Sequence, residues 1–506
     1  MQLRHDSRRL RIARRPATWA AVLAIACTSA LPAHAQDDRK ASATRDAIAF
    51  GVLAAKLQSR IETAALGDGV SVAVIDLQTG AHVIDHRADA LLNPASNQKL
   101  ITAAVALLEL GPAFRMRTGL YGEIEGERVK GALVLRGFAD PTLRSADLIE
   151  LAQELVARGV RTVDEVVVDG SYFDDKVLPP AFEQQPDEIA PFRAAVAATS
   201  VEENAYTLRV SPGPAVDTPA RVSLEGEGYF AVTNQIVTRA GAPNVVAVQS
   251  TKGDRLALSL SGSVPPGIGM LSYRRRVEAP LEYAGHVLID ALKALRVQVP
   301  RRVRVATMAK GLPLLATHVS PPLAEIVTSL GKDSDNFVAE MLWKTIAAER
   351  VHQPGRSEDA TAFVLEVLKR RGVNTQGMTL INGSGLFNGN RVSAAQLSTL
   401  LASMYADPAV RSEYVAQLAI GGIDGTLANR LQGTQPSVVR AKTGTLDDVI
   451  ALSGYVLGPH PEQAFAFSVL ANGVGGKQQV ARALADQIAV DLAQHLWRSP
   501  ARSPGP

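Results

Sequence analysis

Pro94-Ala95-Ser96-Asn97-Gln98-Lys99-Leu100-Ile101-Thr102-Ala103-Ala104-Val105-Ala106-Leu107-Leu108 decides how this chain is read. Asn93-Pro94-Ala95 leads in as a breaker, and Leu100, Ala103, Ala104, Leu107 and Leu108 then recur at helical spacing. The stretch predicts a buried helix with Ser96 at its first turn. Residues three apart on a helix are neighbours, so Lys99 can set its amine beside the Ser96 hydroxyl.

Two shorter strings follow in order, Ser334-Asp335-Asn336 and Lys442-Thr443-Gly444. Together the three read S-x-x-K, S-x-N and K-T-G, which names acyl transfer from a peptide or lactam carbonyl to a serine hydroxyl. Lys99 must be neutral to act as a base; burial and the field of a second cation, Lys442, are expected to lower its pKa. Ser334 suits a proton relay to the leaving nitrogen, and the Asn336 amide suits holding the substrate backbone and Lys99. Lys442 and Thr443 offer a cation and a hydroxyl to a free carboxylate. Gly444 lets the substrate backbone lie close to the strand edge, and the N–H of Thr445 pairs with that of Ser96 as an expected oxyanion hole.

Each string alone is weak. Ser96 singly reads as a helix N-cap and Lys442 as a solvated strand lysine. Ser329-Leu330-Gly331-Lys332 is a second S-x-x-K, left without a usable S-x-N after it. Three strings in order, each in fitting local structure, outweigh those readings.

The N-terminus reads as a targeting segment: a basic head with Arg4, Arg8, Arg9, Arg11, Arg14 and Arg15, an apolar stretch from Ala17 to Leu31, and Ala33-His34-Ala35 as a small-x-small cleavage pattern. The apolar stretch is short for a membrane span, so cleavage after Ala35 and export to the periplasm without a stable anchor are expected. Ser7-Arg8-Arg9 invites a twin-arginine reading, but Arg11 stands where an apolar residue is wanted. Ala24-Ile25-Ala26-Cys27 is a faint lipid-attachment site that lacks its leading leucine.

Residues 1–35 hold six Arg and one Asp, so 47 basic and 49 acidic residues remain of the 53 and 50 in the whole chain, about −2 net. The basic bias belongs to the leader, and no nucleic-acid partner is implied. Cys27, the only cysteine, leaves with it. That excludes disulfides, a thiol nucleophile and zinc-thiolate chemistry in the exported chain. His82 and His86 share a helical metal spacing but lie in a turn-and-strand pattern; no metal and no cofactor is expected.

Val70 to Leu77 and Ala81 to His86 read as a hairpin across Gln78-Thr79-Gly80. From Thr118 to Pro265 the chain turns β-rich, with strands at Ala132 to Arg136, Val163 to Asp169, Val245 to Gln249 and Leu256 to Ser261. Ala279 to Leu295 is a helix. Further helices follow at Pro322 to Leu330 and Phe337 to Arg350, then strands Val449 to Leu457 and Ala464 to Leu470 and a closing helix Val480 to Trp497. The fold class is therefore α/β (α+β), one sheet with helices from both halves of the chain, interrupted by a large β-rich insertion. No repeat recurs.

The chain resembles class C low-molecular-mass penicillin-binding proteins, the penicillin-binding protein 4 type of D-alanyl-D-alanine carboxypeptidase and endopeptidase. The resemblance runs through Pro94–Leu100 with Thr102-Ala103-Ala104, Arg136–Leu143, Val168-Asp169-Gly170-Ser171-Tyr172-Phe173, Ser200-Val201-Glu202-Glu203-Asn204, Gly425-Thr426-Leu427 and Arg440–Leu446. It implies a serine β-lactamase/DD-peptidase-like sheet, with the 238 residues from Ser96 to Ser334 carrying two inserted domains. The expected division is 1–35 signal peptide, 36–115 and 306–497 catalytic, 116–172 and 266–305 one insert, 173–265 the other, and 498–506 a tail.

The resemblance makes Ser96 the acylated nucleophile, Lys99 its base, Ser334 and Asn336 the relay pair, and Lys442 with Thr443 the carboxylate binders. It also makes Asp169 a reader of the amino end of the stem-peptide side chain, and it places Leu386 at the substrate site. The implied partners are peptidoglycan stem peptides and β-lactam antibiotics. The family commonly has Asp-Gly-Ser-Gly-Leu-Ser-Arg where this chain has Asn382-Gly383-Ser384-Gly385-Leu386-Phe387-Asn388, so Asn388 replaces a substrate-binding arginine, with Arg391 three positions on. Glu202 stands where asparagine is common.

Three rivals are weighed. A class A β-lactamase wants E-x-x-x-N between Asn336 and Lys442, which is absent, and leaves the insertion unexplained. A non-catalytic wall-binding scaffold would tolerate losses at Ser96, Lys99 or Lys442, and none is lost. A Ser-His-Asp hydrolase built on Ser384 lacks G-x-S-x-G.

Overall fold

Strand Val449–Leu457 alternates nothing: eight of its nine residues are buried, as are eight of nine in Ala464–Asn472. An antiparallel sheet buried on both faces needs cover on both, and helices supply it. The computed structural model describes residues 33–224, 226–252, 255–432 and 438–498. The expected leader, residues 1–35, lies outside the described residues but for 33–35, and the expected tail but for Arg498. The chain forms two units, residues 1–50 and 51–506, and every contact below belongs to the second.

The central sheet has six strands in the order Ala419–Ile420, Val439–Leu446, Val449–Leu457, Ala464–Asn472, Val70–Asp76, His82–His86, all neighbours antiparallel. Its two chain-distant halves meet where Val70 pairs Ala471 and Asp76 pairs Phe465. On one face Tyr455 donates its hydroxyl to the Leu401 carbonyl of helix Ala394–Ala406 at 2.8 Å. On the other, Phe465 stacks on His495 of helix Gln478–Arg498. Asp491 of that helix is buried and pairs with Lys56 and Arg60 of helix Ala33–Ala64 at 2.9 and 3.1 Å.

Helix Gln98–Leu110 runs through the core under the sheet, with ten of its thirteen residues buried. Leu100, Ile101 and Leu107 are each at most 1 % exposed. Burial of such a side chain contributes roughly 1.5–3 kcal/mol. Helices Leu323–Lys332 and Asn336–Arg350 pack against it, and their junction carries the second string.

The insertion holds three more sheets. A five-stranded mixed sheet runs Val303–Val305, Thr162–Asp169, Arg128–Gly137, Arg117–Glu125, Leu314–Val319. Two three-stranded sheets follow: Phe230–Thr238, Arg255–Val264, Asn244–Lys252, and Leu271–Arg276, Ala205–Ser211, Arg221–Leu224. Two expected boundaries move. Leu314–Val319 closes the five-stranded sheet, so that sheet continues past residue 305. Leu271–Arg276 pairs with Ala205–Ser211, so the second β-rich block continues past residue 265.

Candidate active site

Ser96 sits in a single 3-10 turn, Ala95–Asn97, that runs into helix Gln98–Leu110. No side-chain cap bond forms at that helix start, so Ser96 is not spent as an N-cap. The turn is held from three sides. Ala95 N–H donates to Asn93 Oδ1 at 2.9 Å. Gly385 has φ +75°, and a Cβ there would lie 1.9 Å from the Ala95 carbonyl oxygen. Asn97, its amide oriented to satisfy both neighbours, donates to the Lys442 carbonyl at 2.9 Å and accepts from Ser453 Oγ at 2.7 Å. The Ser96 turn is thus bonded to the strand that carries the third string.

Lys99 Nζ donates to Ser96 Oγ at 3.1 Å, Asn336 Oδ1 at 2.6 Å and the Ser384 carbonyl at 2.6 Å. The ammonium form can fill all three; the neutral amine keeps two of them and turns its lone pair to the Ser96 hydroxyl. The residue is 1 % exposed, and burial lowers its pKa to about 7, against the opposing charges of Glu340 and Asp335. Asn336 in turn donates through Nδ2 to the Phe192 carbonyl of the insertion at 3.0 Å.

Ser334 occupies the left-handed region, φ +62°, between the two helices, and Asp335 caps the second by accepting from Val338 N–H at 3.1 Å. Its Oγ accepts from Lys442 Nζ at 2.9 Å. Lys442 also donates to the Thr443 carbonyl at 2.7 Å. It is fully buried, which excludes the solvated-lysine reading, and burial holds its pKa well below the ordinary value, with the charge of Lys99 adding. Burial is thus the largest cause of the lowered pKa at both lysines.

The Lys442 amine is turned to Ser334. Thr443 Oγ1 donates to Thr426 Oγ1 at 2.8 Å, beside exposed Thr445. Gly444 is required by packing, because its Cβ would lie 2.9 Å from the Pro94 carbonyl oxygen and 3.1 Å from Ala95 Cβ. The strand passes that closely over the nucleophile turn.

Asp169 is not brought to this cluster as a free carboxylate. It is fully buried, accepting from Ser171 N–H at 2.8 Å and Met308 N–H at 2.9 Å, with Arg136 Nε at 3.5 Å. It ties the ends of neighbouring strands. Leu386, with Thr445 just past the third string, lines a groove of about 560 Å³ that also takes Gln184, Phe192, Asn388 and Arg482. Asn388 there accepts from Asn93 Nδ2 at 3.1 Å and exchanges bonds with Gln184. Arg391 bonds the Asn390 carbonyl and is not among the groove's residues, so it does not stand in for the replaced arginine. Glu202 receives Ser145 N–H at 2.8 Å and faces Arg144, a structural contact.

Residues not singled out from sequence complete the site: Asn97, Thr426, the Phe192 carbonyl and Glu340. Asn97 and Glu340 had a legible signal, one beside the nucleophile and one four residues past Asn336 on the same helix face. The Phe192 contact had none, since it joins residues 144 apart. Among the described residues no cluster of three or more His, Cys, Asp or Glu side chains suits a metal ion.

The model of the family described as D-Ala-D-Ala carboxypeptidase 3 (S13) matches residues 53–495. A D-alanyl-D-alanine carboxypeptidase of Actinomadura sp. (strain R39) is 36 % identical over 459 residues, 86 % of this chain and 83 % of that protein. The D-alanyl-D-alanine carboxypeptidase DacB of Haemophilus influenzae is 26 % identical over 426 residues, 80 % of this chain and 86 % of that one. The crystal structure of penicillin binding protein 4 (dacB) from Haemophilus influenzae shares the fold, with a TM-score of 0.72 at 22 % identity over 86 % of this chain and 99 % of that chain. A structure of the same protein complexed with a β-lactam gives 0.69 at 22 % identity, over 88 % and 99 %. A half-buried serine bonded to a buried lysine, a second hydroxyl held by a second buried lysine, and a match that spans the chain from residue 53 to 495 agree: this protein belongs to the D-Ala-D-Ala carboxypeptidase 3 (S13) family of serine carboxypeptidases.

Proposed function

We propose that this carboxypeptidase works on peptidoglycan stem peptides through an acyl-enzyme on Ser96. The observation that carries the reading is the three-way bonding of Lys99 to Ser96, Asn336 and the Ser384 carbonyl. At neutral pH about half of the Lys99 amine is unprotonated, enough to supply the base. It takes the Ser96 proton as Oγ attacks the carbonyl of the penultimate D-alanine, and the tetrahedral oxyanion sits against the N–H groups of Ser96 and Thr445. Ser334, held by Lys442, passes a proton to the leaving D-alanine nitrogen. Water then releases the shortened peptide by the reverse proton path. Thr443, Thr445 and Thr426 receive the terminal carboxylate in the hydroxyl rim.

A β-lactam presents the same carbonyl and carboxylate, so it acylates Ser96 and stays. The same step on a cross-linked D-alanine is endopeptidase action. The groove of about 560 Å³ running out from Thr445 supports it, because the insertion's Gln184 and Phe192 wall off room for a stem-peptide side chain. The basic head and apolar stretch before Gln36 support a periplasmic site of action. No helix among the described residues is long and apolar enough to cross a membrane. The division into a catalytic domain and two inserts is part of the same reading.

Mass analysis of muropeptides after incubating purified protein with sacculi tests it. Pentapeptides falling marks carboxypeptidase action and cross-linked dimers falling marks endopeptidase action. Neither falling, with folded protein, contradicts the reading.

A further inference from the structure

Glu340 is a carboxylate placed where an uncompensated charge is expensive. It is 1 % exposed, on the inner face of helix Asn336–Arg350, one turn past Asn336. Its Oε1 accepts from Ser384 N–H at 2.7 Å and its Oε2 from Gly383 N–H at 3.2 Å. The carbonyl of that same Ser384 accepts a hydrogen bond from Lys99 Nζ at 2.6 Å. Glu340 and Lys99 thus grip one short backbone segment from opposite ends. Gly383 supplies the close approach, since a Cβ there would lie 2.8 Å from the Ala339 carbonyl oxygen and from Trp343 Cβ.

We propose that Glu340 is the buried counter-charge of Lys99, a positioning residue that fixes the lysine amine through the Gly383–Ser384 backbone and balances the ammonium formed during acylation. The step conserves its parts. The Ser96 Oγ–H bond breaks, its proton joins the Lys99 Nζ lone pair, and its electron pair forms the bond to the substrate carbonyl carbon. One positive charge then appears in a dry site, and the Glu340 carboxylate is the negative charge already fixed there. The charge that acts on it is Lys99 from helix Gln98–Leu110; Asp335, at the start of the Glu340 helix, also acts on Lys99, and Lys99 acts on Lys442 of strand Val439–Leu446. Burial raises the Glu340 pKa, while its backbone bonds and the charge of Lys99 oppose the rise. This inference rests on Ser96 and Lys99 acting as nucleophile and base.

The test is the single-turnover acylation rate by benzylpenicillin against pH for the full chain, wild type and Glu340→Gln, with thermal melting as the folding control. Expected for E340Q is a plateau about 10–100-fold lower and an acid limb moved down by about half a pH unit or more, because the charge that favoured Lys99 ammonium is gone. E340D, which keeps the charge, should leave the acid limb at its wild-type pH. Folded E340Q with the wild-type rate and limb overturns the proposal, whereas a wild type that never acylates overturns the acyl-enzyme reading instead.

Should E340Q fail to fold, Lys99→Met decides by melting alone. With the cation removed, the Glu340 pKa rises further above its unfolded value, so K99M should lose stability as pH rises from about 5 to 7.5 and K99M/E340Q should not, a comparison free of the opposite slope that Lys99 itself gives wild type. Identical slopes in K99M and K99M/E340Q overturn the proposal.

Discussion

Lys442 Nζ donates to Ser334 Oγ at 2.9 Å, and the lysine is fully buried behind that hydroxyl. The third string therefore serves the second directly. Ser334→Ala removes the proton path to the leaving nitrogen and leaves Lys442 only the Thr443 carbonyl among the acceptors described here. Turnover of a D-alanyl-D-alanine peptide should fall by about 10²–10⁴-fold, with a smaller change in KM. Stopped-time assay of D-alanine release checks it; a variant changed only in KM would remove Ser334 from the proton path.

Acylation should rise with pH through about 7. Lys99 is lowered from its ordinary value to about 7 by burial, so below that pH it carries a proton and cannot accept another from Ser96. A rate profile of penicillin acylation between pH 5 and pH 9 reads the limb directly, and a limb near the ordinary lysine value would show Lys99 to be solvated.

Asn97→Leu should uncouple the nucleophile turn from the sheet. The amide bridges the Lys442 carbonyl and Ser453, and its loss leaves buried partners unsatisfied, costing about 1–3 kcal/mol per group. A lowered denaturation midpoint together with slower acylation is expected. Slower acylation with full stability would mean the bridge orients without stabilising.

Asp169→Asn tests a structural role. Its carboxylate accepts two backbone N–H groups and faces Arg136 in a site with no exposure. Replacing a buried charged partner costs on the order of 3–5 kcal/mol. The melting temperature should drop while the folded enzyme keeps its KM for peptides with and without a side-chain amine. A selective rise in KM for the amine-bearing peptide would return Asp169 to substrate recognition.

Much of this was legible in the residues. The helical spacing after Pro94 located the nucleophile turn, and the run of buried residues from Val449 to Leu457 marked the central strand. Strands such as Arg117–Glu125 and Ala205–Ser211 went unmarked because arginines, glycines and a serine interrupt their apolar pattern; long-range pairing, not local propensity, makes them strands. The direction of the Lys442 amine was equally hidden. It depends on how deeply strand Val439–Leu446 lies under the helix junction at Ser334, which no local spacing encodes. The burial of Asp169 between strand ends was hidden for the same reason.

The most direct test of the central claim is the site of covalent attachment. After reaction of the purified protein with benzylpenicillin, peptide mass mapping should find one penicilloyl adduct, on Ser96, and none on Ser96→Ala. An adduct on Ser334 or Ser384, or no adduct on folded protein, would contradict the account.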